Sequence, residues 1–145
     1  MRHIASIFLV AACISSCNRD SGTSNSKAND CFVYKMDKDS AFLQIDIHND
    51  IVKGELAYHL FEKDNNQGSI EGRIVGDTIF AKYKFMSEGV ESIREVAFLK
   101  KSSNWVEGFG EVEDKNGSMV FKDHLGLKFE SGLLFKEVPC PKAAD

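Results

Sequence analysis

The sequence predicts an all-β fold: an antiparallel meander of about eight to ten short strands, curled into a closed or nearly closed barrel. Three observations carry this expectation. Short runs of alternating apolar and polar residues, punctuated by turn residues about every 8–12 positions, extend from Cys31 to Val138. Two hairpins specify their own register, and in both the turn and the side-chain alternation give the same answer. Each of these hairpins also carries a glycine at mid-strand, where a missing side chain relieves crowding in a strongly curved sheet.

Taken in order, Cys31–Met36 (CFVYKM) is the first expected strand. Ala41–His48 and Ile51–Leu60 then form a hairpin about Asn49-Asp50, two residues that tolerate left-handed backbone. A two-residue turn there sets Ile47 against Val52, Ile45 against Gly54, Leu43 against Leu56 and Ala41 against Tyr58 on an apolar face, with Asp46 against Lys53 on the other. The polar stretch 62–67 leads into the clearest hairpin, 68–85 (GSIEGRIVGDTIFAKYKF), turning at Gly76-Asp77. Its inner face pairs Ile74 with Ile79, Gly72 with Ala81 and Ile70 with Tyr83. Its outer face pairs Arg73 with Phe80 and Glu71 with Lys82.

A polar connection is expected over 87–92, followed by strands Ile93–Lys100 and Trp105–Val112 around Ser102-Ser103. Here alternation gives no clean answer. A two-residue turn with Leu99, Ala97, Val106 and Gly108 inward brings Glu95 inward too, and leaves Val96, Phe98 and Phe109 outside. Either the register is shifted or the outer face is covered. Asn116-Gly117 marks one more tight turn, and short strands are expected near Met119–Lys122, Leu125–Glu130 and Leu133–Val138.

The amino-terminal residues carry the strongest functional signal. Arg2 and His3 precede Ile4–Ile14, a run that is apolar except for Ser6, too short to span a bilayer and suited to a secretory signal. It ends in Ile14-Ser15-Ser16-Cys17, which resembles the bacterial lipobox. The resemblance implies diacylglycerol transfer to Cys17, cleavage before it and acylation of the new amino terminus, an anchor of several chains that holds far more firmly than one. An ordinary secretory signal cut elsewhere is the alternative. Asn18, in place of an inner-membrane-retaining Asp, points to the outer membrane, facing the periplasm or the surface. The expected organisation is signal peptide 1–16, acylated Cys17 with a flexible polar tether to 30, barrel 31–140 and a tail 141–145. The tether (NRDSGTSNSKAND) has no large apolar residue to bury and reaches at most roughly 45 Å.

With Cys13 removed and Cys17 acylated, Cys31 and Cys140 remain as one pair in an oxidising compartment, so a disulfide joining the ends of the barrel is expected. A redox or metal role is the weaker reading, since there is no CxxC and no histidine beside either cysteine. Without residues 1–16 the chain has 17 basic and 22 acidic side chains, a net charge of −5. That balance argues against nucleic acid and suits a cationic partner.

No cofactor or metal is expected. Placing Gly68 or Gly117 at the sixth position of a calcium loop puts Lys63 or Val112 at the first, where a carboxylate is needed. His48, His59 and His124 are scattered, and HExxH, GxSxG, P-loop and GxGxxG patterns are absent. Glu88, Glu91, Glu95, Glu107 and Glu111, with Arg94 among them, could supply a carboxylate pair for a hydrolase. Solvated faces and an Arg94–Glu111 pair are the favoured explanation. Phe80, Phe98, Trp105 and Phe109 form a candidate binding patch if they share an outer face, and core packing is the competing reading.

The segment SIEGRIVGDTIFAKYKFMSEG with REVAFLK downstream resembles a group of small lipoproteins of Gram-negative bacteria, across most of residues 31–140. The resemblance implies membership and carries no mechanism. Lysozyme-inhibitor lipoproteins and lipocalins are similar only as small barrels, since their signatures are absent. The expected role is a non-enzymatic, membrane-anchored envelope module that binds a small apolar ligand or a cationic protein. An envelope hydrolase using carboxylates of the 88–111 region is the alternative.

Overall fold

The computed structural model describes residues 29–63 and 65–141; the expected signal peptide, Cys17, most of the tether and residues 142–145 lie outside the described residues. Ten strands follow one another: β1 (Asp30–Met36), β2 (Asp39–His48), β3 (Ile51–His59), β4 (Asn66–Val75), β5 (Thr78–Ser87), β6 (Val90–Lys101), β7 (Asn104–Gly108), β8 (Val112–Lys115), β9 (Ser118–Phe121) and β10 (Leu134–Val138). The order β5-β4-β3-β2-β1-β10-β7-β6, closed by pairing of β5 with β6, makes an eight-stranded barrel. An eight-stranded barrel is just wide enough for its interior to be filled by side chains. The β8–β9 hairpin stands outside the ring and joins it through a parallel pairing of β9 with the start of β6.

Tight turns account for the meander. Asn49 and Asp50 both adopt positive φ (47° and 66°), as do Asn116 and Gly117 (55° and 80°), the pattern of a two-residue turn that continues the strand twist. At Gly76 only the first central residue is left-handed (φ 61°), which suits its glycine–aspartate sequence. Both self-registering hairpins have the expected pairs, Ile47↔Val52 through Ala41↔Tyr58 and Ile74↔Ile79 through Ile70↔Tyr83. Gly72 packs so closely on the backbone of Phe80 and Ala81 that a Cβ there would collide with it, the curvature device its position in the strand suggests.

Three segments differ from expectation. The polar stretch 87–92 is a two-residue turn at Glu88-Gly89, and β6 begins already at Val90. Leu125–Glu130 is no strand; among the described residues its backbone pairs with the rest of the chain at a single bridge, between Lys128 and Phe109. Trp105–Val112 is broken in two, because the chain leaves the barrel after Gly108.

The core is the barrel interior. Leu43, Ile45, Val52, Leu56, Ile70, Ile79, Phe98 and Phe135 are buried there, each such side chain stabilising the fold by about 1.5–3 kcal/mol. Cys31 and Cys140 are joined by a disulfide with Cα atoms 5.1 Å apart, closing the ends across 109 positions of sequence. In the chain-entropy account a loop of that size gives about 4.7 kcal/mol.

Candidate functional site

The face of β6 is set by its neighbour. With Ile79, Ala81 and Tyr83 of β5 pointing inward, their partners Phe98, Val96 and Arg94 point inward as well. Across the next ladder Phe98 faces Glu107, so Glu107 enters the lumen beside Trp105. This inverts the sequence expectation, which set Glu95, Ala97 and Leu99 inside. The outer face misled the pattern because it is covered: Phe129 lies against Gly108, Gly132 against Val106 and the Glu107 carbonyl, and the Glu107 amide donates to Leu133 O (3.0 Å).

Four polar side chains from four strands therefore meet inside an otherwise apolar barrel. Tyr58 of β3 reaches across the lumen and donates to Glu107 Oε1 at 2.6 Å. Its ring meets that of Tyr83 edge-on at 5.9 Å. The Arg94 guanidinium lies over the rings of Tyr58, Tyr83 and Phe85 at 5.1, 5.4 and 5.5 Å, within the range of cation–π attraction. Three polar atoms of this group are buried without a protein partner: Glu107 Oε2, Arg94 Nε and the Tyr83 hydroxyl. Asn66 Oδ1, on β4 opposite Tyr58, is a fourth.

The wall of the barrel is open beside them. Pairing of β6 with β7 stops at Ala97↔Gly108, while β6 runs back to Val90. Ile93 and Arg94 instead pair with Ser118 and Met119 of β9. Between the diverging strands lies a cleft of about 290 Å³, with Arg94, Val96 and Glu107 on its inner side and Val112, Met119 and Phe121 of the outer hairpin opposite. Two members of the cluster, Arg94 and Glu107, thus line a breach in the wall.

Its electrostatics follow from that burial. Glu107 is only 3% exposed. Desolvation raises its carboxyl to about 7, against the opposing pull of the Tyr58 hydrogen bond and the Arg94 charge. Burial likewise raises Tyr83 to about 12 and Tyr58 well above the usual phenol value, with Glu107 adding to both and Arg94 opposing. Near neutrality Glu107 can be either a hydroxyl donor or a carboxylate acceptor.

The expected aromatic patch does not exist as one surface. Phe98 (0% exposed) and Trp105 (2%) are core residues. Phe80 is half-buried under the ring of His124 at 4.5 Å, and only Phe109, at the edge of the cleft, is exposed. The acidic residues also disperse. Glu95 lies on the cleft but accepts from the Phe121 amide (2.9 Å) and contacts His124 Nε2 (3.0 Å). Glu91 pairs with Lys84 and Glu111 with Lys122, so the anticipated Arg94–Glu111 pair is not formed.

Sequence reasoning missed Tyr58, Tyr83 and Arg94 as one group. The signal was present: both tyrosines sit on inner faces by register, and a buried tyrosine hydroxyl needs a partner. In comparisons with protein-family models, curated proteins and solved structures, nothing matches this chain.

Proposed function

We propose that the protein is a lipid-anchored binding module of the Gram-negative cell envelope, held by Cys17 in the outer membrane, and that it recognises a small ligand without transforming it. The recognition site is the cleft where β7 leaves β6. One observation carries this reading: Glu107 Oε2 and Arg94 Nε are buried and unpartnered in two residues that line a breach in the wall. Each such group left unpaired costs about 1–3 kcal/mol, and a bound polar molecule would recover that cost. The lipobox-like Ile14-Ser15-Ser16-Cys17 supports the anchoring. The filled middle of the barrel favours a small polar ligand at the cleft over an apolar one in the lumen. A cationic protein docking on the acidic exterior is a separate mode of binding that the net charge supports.

Native mass spectrometry of the full lipoprotein, extracted in detergent from its own membranes, tests the reading. Wild type should retain a small adduct that Arg94→Gln loses. Identical spectra without an adduct would refute it. Membrane fractionation of Cys17→Ala should find the protein released from membranes; retention there would remove the anchor.

A second reading rests on Glu95 and Glu107 sharing the cleft, with Glu107 held protonated near neutral pH as a general acid for an envelope hydrolase. The engagement of Glu95 by Phe121 and His124 counts against it. Equal glycan turnover by wild type and Glu107→Gln would eliminate it.

A further inference from the structure

Resting on the reading of the cleft as a binding site, we infer that its ligand is a small carboxylate, bound by Arg94 and the carboxyl of Glu107. The hydrogen-bond roles lead there. Tyr58 already donates to Glu107 Oε1, which leaves Oε2 as the atom that carries the proton or the lone pairs presented to the cleft. Arg94 Nε is a donor awaiting an acceptor. With Oε2 protonated, both unpartnered groups that line the cleft donate, and a carboxylate is the small ligand that accepts several charge-assisted bonds at once. Among the described residues no carboxylate forms an ion pair with Arg94, so its cation lies in the barrel wall balanced only by aromatic faces and by whatever charge Glu107 carries.

Ionised Glu107 and an incoming carboxylate are therefore alternative counter-ions for the same guanidinium. Binding of one requires neutralisation of the other, so the ligand enters together with a proton. The groups facing Glu107 are few: Tyr58 from β3, Tyr83 from β5 and Arg94 from β6. On the cleft's outer side stands Glu95, whose oxygens are already turned to the Phe121 amide and His124. Burial holds Glu107 at about 7, which puts the exchange within the range of ordinary envelope pH.

Acetate is the probe, with acetamide as its neutral isostere, titrated calorimetrically into the full lipoprotein in detergent. Acetate should bind and acetamide should not. The acetate Kd should weaken by about tenfold per unit above roughly pH 7. Near that pH, buffers of different ionisation enthalpy should report uptake of part of a proton per acetate. Glu107→Gln should bind acetate with a Kd independent of pH, an outcome that a structural role for Glu107 would not produce. Arg94→Lys keeps the charge in place and guards against a folding failure of Arg94→Gln. It should bind acetate at least about tenfold more weakly because the Nε donor is gone. Equal affinity for acetamide, a pH-independent Kd in wild type, or unchanged affinity in Arg94→Lys would overturn the inference. If acetate fails while an Arg94-dependent native adduct persists, the cleft is a binding site and its ligand is not a carboxylate. If both fail, the site reading falls with it.

Discussion

Replacing Glu107 with glutamine tests the interior cluster through stability alone. In the native barrel its carboxyl is raised by burial from 4.5 to about 7, so between those values the folded chain holds a proton that the unfolded chain has released. A group of that kind favours the folded state fully below the unfolded value, and its contribution is lost as pH climbs through the folded value. The difference of about 2.5 units corresponds to roughly 3 kcal/mol at 1.36 kcal/mol per unit, an upper figure since water entering the cleft would lessen it. Glutamine keeps an acceptor for the Tyr58 hydroxyl and removes the ionisation. Urea unfolding of both proteins across about pH 5 to 8.5, with the disulfide intact, should show near-equal stability at the acid end. Wild type should then decline by about 2–3 kcal/mol while the variant stays level, so that Glu107→Gln is the more stable protein at alkaline pH. Parallel profiles would mean that Glu107 titrates normally, and the desolvated placement of its side chain would be wrong.

Other expectations follow from the same architecture. Tyr58→Phe removes the hydrogen bond that stabilises the carboxylate, so the Glu107 midpoint seen by NMR titration should rise above about 7. Phe98→Ala should cost about 3–5 kcal/mol in urea unfolding and Phe109→Ala under about 0.5, because one fills the barrel and the other is exposed; equal costs would contradict their burial. Replacing Cys31 and Cys140 with alanine should lower stability by about 2–5 kcal/mol, measured by thermal or urea unfolding. Gly72→Val should destabilise the barrel by more than about 3 kcal/mol, as its side chain meets the backbone of Phe80 and Ala81 rather than a movable side chain. A soluble, cooperatively folding variant with wild-type stability would show that the strands there are not in such close contact.

The barrel was legible where one face of a strand is buried and the other is wet. In β2–β3 and β4–β5 that condition holds, and alternation together with Asn49-Asp50 and Gly76-Asp77 leaves one register. The same logic failed at β6–β7 for a definite reason. Val96, Ala97 and Phe98 are consecutive and all buried, because the lumen takes Val96 and Phe98 while the segment around Phe129 covers the opposite face. A strand buried on both faces loses the period-two signal, and neither the turn at Ser102-Ser103 nor the residue types restore it. Only closure of the ring, which ties Arg94 to Tyr83 and Phe98 to Ile79, decides the matter. The disulfide was legible for a different reason, since the signal processing expected from the sequence would leave just two thiols.

The site was less legible because it is made by a departure from the regular barrel. Had β7 continued beyond Gly108 along β6, it would occupy the edge at Arg94 that β9 now pairs with, and the wall would be sealed over Glu107. Gly108 and Gly110 instead receive Phe129 and Leu127 on the outer face, and the freed edge of β6 takes β9 in parallel. The charged pair is thus kept from both bulk water and a sealed core. Either extreme would settle its protonation: full solvation would leave Glu107 ionised, and a sealed apolar lumen would hold it neutral. At the breach it sits between the two, with Arg94 within electrostatic reach and Tyr58 fixing one oxygen. A single carboxyl so placed couples the charge of the cleft to pH, which neither the strand pattern nor the composition encodes.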